Sequence, residues 1–88
     1  MKLTIYGKKD CPFCDKAKLL ASQLNDIRKD FSFEYFDYED EGFTKETLGE
    51  KLGKEISTLP QIILDDKLIG GYTDLEAYVR KNKLFARQ

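Results

Sequence analysis

The run Lys2-Leu3-Thr4-Ile5-Tyr6-Gly7 mixes aliphatic, β-branched and aromatic residues and closes on a glycine, the composition of a strand. Then the period changes. From Cys14 the apolar positions are Ala17, Leu20, Ala21, Leu24 and Ile27, with Lys16, Lys18, Gln23 and Arg28 off that stripe. Spacing by three and four predicts a helix with one buried face, over about residues 12–28. Pro12 suits its first turn, where a backbone N–H would have no intrahelical partner.

The stretch 33–38, Phe-Glu-Tyr-Phe-Asp-Tyr, reads as a second strand. It is aromatic on both faces, which predicts a place inside the sheet. Glu39 to Gly42 is a charged turn. Thr44 is the expected N-cap of a second helix and Gly53 its C-cap. Ser57 to Pro60 is a loop, because the residue before a proline avoids helical angles. Gln61 to Leu64, the pair Asp65-Asp66 and Lys67 to Gly70 form a hairpin with a two-residue turn. Thr73, with Glu76 three residues on, is the expected N-cap of a last helix running through Leu75, Tyr78 and Val79 towards Lys81. Beyond Lys83 there is no strong pattern, although Leu84 and Phe85 are candidates to dock.

The order β-α-β-α-β-β-α requires a right-handed crossover with parallel pairing first, then an antiparallel hairpin. The expected fold class is α/β: a mixed four-stranded sheet flanked by helices, resembling the thioredoxin-like fold. Residues 1–88 read as one domain, without repeats, linkers or low-complexity segments.

Composition narrows the partners. Hydrophobic residues are 41% and charged residues 35%, and the net charge is −1. A balance that even gives no general affinity for nucleic acid or for a membrane surface. No stretch approaches the roughly 20 apolar residues of a membrane span, and Leu3 to Tyr6 is too short for a secretory signal. The expected location is the cytoplasm. Charge is unevenly spread: residues 34–50 hold seven acids and one lysine, a pattern typical of a solvated face.

Both cysteines fall in Cys11-Pro12-Phe13-Cys14, where the first strand hands over to the first helix. In a reducing compartment such a pair is more often redox-active or metal-binding than structural. Cys11 precedes the helix, where unpaired N–H groups and aligned peptide dipoles favour a negative charge, and Lys8 and Lys9 add positive potential. The position favours the thiolate, the form that attacks a disulfide. Cys14 lies one turn in, close to the apolar stripe, where burial disfavours ionisation. Cys11 is therefore expected to be the exposed nucleophile and Cys14 the buried resolving thiol. Three plainer readings stand beside this one. A structural disulfide here would close almost no loop. A zinc site normally needs four Cys or His ligands, and the chain has two Cys and no His. Two thiols packed by coincidence is the third.

With those residues in view, the chain resembles the dithiol glutaredoxins, in particular the small bacterial type. The resemblance rests on Cys11-Pro12-Phe13-Cys14, Glu41-Gly42, Thr58-Leu59-Pro60-Gln61 and Gly70-Gly71-Tyr72-Thr73-Asp74. It implies a glutathione-dependent thiol–disulfide oxidoreductase with no permanently bound cofactor or metal, acting as a monomer on disulfide-containing proteins such as ribonucleotide reductase. It also implies a cis peptide bond before Pro60 and a backbone pairing between Leu59 and the cysteine of glutathione. Thr73 and Asp74 would take the γ-glutamyl end, Lys8 the glycine carboxylate, and Phe13, Thr58 and Tyr72 would line the groove. Two rivals attach to the same likeness: recharging by thioredoxin reductase, and an iron–sulfur cluster shared between two chains through Cys11. Thr73 and Asp74 argue against the first, Pro12 and Cys14 against the second.

Overall fold

In the computed structural model, which describes residues 1–86, the chain forms β1 (Lys2–Gly7), α1 (Pro12–Ile27), β2 (Ser32–Asp37), α2 (Lys45–Leu52), β3 (Gln61–Leu64), β4 (Lys67–Gly70) and α3 (Tyr72–Lys81). The sheet order is β2-β1-β3-β4. β1 pairs parallel with β2, Ile5 opposite Tyr35, and antiparallel with β3, Ile5 opposite Ile62. Because α1 carries the chain across between β1 and β2, their pairing is parallel. This is the thioredoxin-like fold.

Alternation along β1 divides the core. Leu3 and Ile5 join Ala17, Ala21 and Leu24 of α1, Ile62 and Leu64 of β3, and Leu75 and Val79 of α3 in one cluster. Tyr6 joins Cys11, Cys14, Leu48, Ile56 and Leu59 in a second. Removing Leu24 or Ile62, both wholly buried, from water contributes about 1.5–3 kcal/mol each. The second cluster is smaller and contains both cysteines. The end of β1 therefore carries the chain from the structural core towards the thiols.

The hairpin turn between β3 and β4 places Asp65 and Asp66 at φ 47° and 70°, the left-handed pair that a two-residue connection favours. Asp65 also accepts the Lys2 N–H at 2.8 Å, tying the turn to β1. Thr44 caps α2 by accepting the Thr47 N–H at 3.1 Å, and Gly53 closes it in the left-handed region.

Three sequence expectations are corrected. β2 is an edge strand: it pairs with β1 alone. Its two aromatic faces arise because Phe33 and Tyr35 pack on the larger cluster while Phe36 lies 5.8 Å from the Tyr6 ring. Helix layers on both sides, not a second strand neighbour, account for the pattern. Next, α3 begins at Tyr72, two residues early for a Thr73 cap. Gly71 is the N-cap, and Asp74 supplies the capping oxygen by accepting the Gly71 N–H at 3.0 Å. Last, Leu84 docks at 6% exposure but Phe85 stays 45% exposed. Arg28, its side chain nearly buried beside Asp30, donates to the Leu84 carbonyl at 3.2 Å and fixes that segment. Arg87 and Gln88 of the patternless tail lie outside the described residues.

Candidate active site at the start of the first helix

Cys11 is the N-cap of α1, in extended geometry, with Pro12 following in the first turn. Its Sγ accepts the Cys14 N–H at 3.2 Å. A side-chain acceptor at the cap satisfies one of the otherwise unpaired amides of the first turn, so the position suits a sulfur that bears negative charge. Cys11 and Cys14 are joined as a disulfide, their Cα atoms 5.2 Å apart, within the range such a bond requires.

Cys11 differs from the exposed thiol expected of it. In this oxidised form it keeps 6% exposure, against 0% for Cys14. The cover comes from Leu59, whose carbonyl oxygen lies 3.7 Å from Cys11 Sγ. A disulfide sulfur carries no proton, so this is a packing contact and not a hydrogen bond. The asymmetry of surroundings remains: Cys11 sits at the helix cap, Cys14 inside the helix.

The bond between Leu59 and Pro60 is cis. The loop leading to it is tied down by Gln61, whose Nε2 donates to the Thr58 carbonyl at 2.8 Å. From this loop a groove of about 250 Å³ runs to the start of α3. Phe13, Thr58, Leu59 and Pro60 line it together with Gly70, Gly71, Tyr72, Thr73 and Asp74. The Phe13 and Tyr72 rings face each other with centroids 6.1 Å apart. Within α3 the first turn-closing bond is Leu75 N–H to the Gly71 carbonyl, which leaves the Tyr72, Thr73 and Asp74 amides as donors for an anion. Gly70 has φ 126°, and a Cβ there would run into the Asp74 carboxylate, so only glycine fits.

Of the residues singled out from sequence, all but Lys8 meet at the disulfide or in this groove. Lys8 is exposed and does not line it. Its neighbour Lys9 pairs with Asp40 at 3.4 Å, and that hydrogen bond raises the ammonium above its ordinary range. The groove's cation is Lys54, which the sequence reading missed. Nothing local marks it: it follows the C-cap of α2, and only the path of the chain brings it here. Gln61 was missed as well, though it left a signal, as a polar residue opening the apolar strand Ile62-Ile63-Leu64. It is 3% exposed, and its Oε1 has no partner among the described residues. A larger hollow of about 510 Å³ along α2 is lined by none of the site residues singled out from sequence. No cluster of three or more His, Cys, Asp or Glu able to hold a metal occurs among the described residues, and no helix there is long and apolar enough to cross a membrane.

Residues 3–69 match the family model described as Glutaredoxin. The chain is 48% identical over 82 residues to Glutaredoxin 1 of Escherichia coli, covering 93% of this chain and 96% of that one. It superposes on the solution structure of reduced E. coli glutaredoxin with a TM-score of 0.84 at 47% identity, covering 94% and 98% of the two chains. For the oxidised E. coli protein the TM-score is 0.82 at 48% identity, covering 93% and 96%.

Proposed function

Because this chain belongs to the glutaredoxin family and is a thiol–disulfide oxidoreductase, we propose that glutathione is its reductant and that the groove beside Cys11 is where the glutathionyl group lies. The observation that carries the reading is Leu59, which lines the groove and whose carbonyl oxygen also lies 3.7 Å from Cys11 Sγ. The first-turn amides of α3 and Lys54 border the same short groove.

The Cys11 thiolate, stabilised by the Cys14 N–H, attacks the sulfur of a glutathionylated or disulfide-bonded protein. A Cys11–sulfur bond forms and the other sulfur leaves as a thiolate. For a protein disulfide, Cys14 then loses its proton and attacks Cys11, which releases the reduced client and leaves the Cys11–Cys14 disulfide. One glutathione thiolate opens that disulfide at Cys11. A second attacks the glutathionyl sulfur, yielding oxidised glutathione and the dithiol. Two electrons enter from two glutathiones and two leave to the client.

Recognition follows from the groove. Leu59 offers strand-like backbone groups to the cysteinyl residue, a mode that ignores the attached protein. Thr73 and Asp74 amides suit the γ-glutamyl carboxylate. Thr58, Pro60, Phe13 and Tyr72 enclose the middle. Lys54, which lines the groove where Lys8 does not, is our assignment for the glycine carboxylate. We assign the whole chain to this one activity, as a cytoplasmic monomer, with ribonucleotide reductase among its protein clients.

The test is reduction of a glutathionylated peptide, with glutathione as donor, by the wild type, Cys11→Ser and Cys14→Ser. Cys11→Ser is expected to be inactive and Cys14→Ser active. The reverse order would remove the assignment, and turnover only with thioredoxin reductase would remove glutathione.

A further inference from the structure

The two aromatic walls of the groove are held differently. Phe13 is 51% exposed, with the Lys16 ammonium 5.1 Å from its ring centre and no hydroxyl to anchor it. Tyr72 packs partly on the larger core cluster, and its hydroxyl donates to Glu76 Oε2 at 3.1 Å. Glu76 is one helical turn further on, with Arg80 one turn beyond it at 3.4 Å. Glu76 does not line the groove. It stands behind the wall, on the flank of α3 that faces Leu20 and Phe85.

We propose that Glu76 is a positioning residue whose carboxylate holds the Tyr72 ring in place against the glutathionyl group, so that its loss weakens substrate binding and leaves the chemical step alone. This rests on the glutathione reading of the groove. Tyr72 is the first residue of α3, where the helix before it offers no turn to pack against, so its ring needs another restraint. A hydrogen bond to an ionised acceptor is stronger than a neutral one. Fixing the side chain before substrate arrives removes an ordering cost from binding. Phe13 has no hydroxyl, so this handle exists on the Tyr72 side alone. Burial, with the Glu76 hydrogen bond adding to it, pushes the Tyr72 phenol up, in the direction expected of a hydroxyl that donates to a carboxylate. Arg80 matters less: that pair is largely exposed and worth little.

Turnover of a glutathionylated peptide by the wild type, Glu76→Ala, Glu76→Gln, Tyr72→Phe and the double variant Tyr72→Phe/Glu76→Ala tests this. Glu76→Ala should raise KM about fivefold, the equivalent of one net hydrogen bond, with kcat unchanged. Glu76→Gln keeps an acceptor and should recover most of the loss. Tyr72→Phe should raise KM to a similar degree, and adding Glu76→Ala to it should change nothing more. An unchanged KM in Glu76→Ala, or additive effects in the double variant, would overturn the proposal. A wild type that does not turn the peptide over would overturn the glutathione reading instead. The ring position is then read directly from nuclear Overhauser contacts between Phe13 and Tyr72. Contacts kept in Glu76→Gln and lost in Glu76→Ala support a positioning role, and contacts unchanged in Glu76→Ala refute it.

Discussion

The Leu59 carbonyl oxygen and Cys11 Sγ lie 3.7 Å apart although 48 residues separate them in sequence. The contact exists because β1 and β3 are antiparallel neighbours, so the chain leaving β1 and the chain entering β3 emerge at the same end of the sheet. Cys11 Sγ and the Leu59 backbone are thus brought together by one strand pairing.

The presence of Lys54 in the groove, and the absence of Lys8 from its lining, distinguish two lysines. Lys54→Ala should raise KM for a glutathionylated peptide about fivefold to tenfold, the loss of one charge-assisted contact. Lys8→Ala should change it less than twofold, by the screening of an exposed charge. Steady-state kinetics at two ionic strengths measures both, and a larger effect from Lys8 would move the carboxylate to the β1–α1 loop.

Gly70 should not tolerate a side chain. With φ at 126° and the Asp74 carboxylate in the way, Gly70→Ala should lose about 1–3 kcal/mol of stability and bind glutathionylated peptide more weakly, because Asp74 must shift. Gly42→Ala is the comparison. It has positive φ with open space around it, so stability should fall while KM stays constant. Urea unfolding and kinetics on the two variants separate strain from displacement.

Alkaline pH should destabilise the fold through its buried phenols. Burial pushes Tyr6 and Tyr35 above the ordinary range, with Glu41 and Glu34 adding at Tyr6 and Asp15 and Asp37 at Tyr35. The folded state holds these protons more tightly than the unfolded one. Their contribution is therefore complete below about pH 10, the unfolded value, and is lost as pH rises through the higher folded value. The urea midpoint should be flat in this respect from about pH 7 to 9 and fall above about 10. Tyr35→Phe should fall less steeply, and a slope unaffected by that change would count against the assignment.

What the sequence made legible was whatever local periodicity or turn chemistry encodes. The stripe from Ala17 to Leu24 placed α1, Asp65-Asp66 placed the hairpin, and Cys11 with Cys14 placed the chemistry. Where it failed, the answer was tertiary. The aromatics of β2 looked interior because helix layers cover both faces. The cap of α3 went to Gly71, a residue without a side chain, because Asp74 reaches back from ahead. Lys54 belongs to the groove only once the loop after α2 has folded over, and no spacing announces that.

The edge position of β2 has a consequence for self-association. An open strand edge is a template for a neighbouring chain, and natural sheets blunt it with charge and brevity. β2 is six residues long. It carries Glu34, paired across to Lys2 at 3.4 Å, and ends at Asp37, whose carboxylate accepts the Glu39 and Asp40 N–H groups at 2.9 and 3.2 Å and turns the chain away. A second copy laid antiparallel along that edge would meet a short template with carboxylates facing carboxylates. These acidic positions therefore oppose growth of the sheet at its β2 edge.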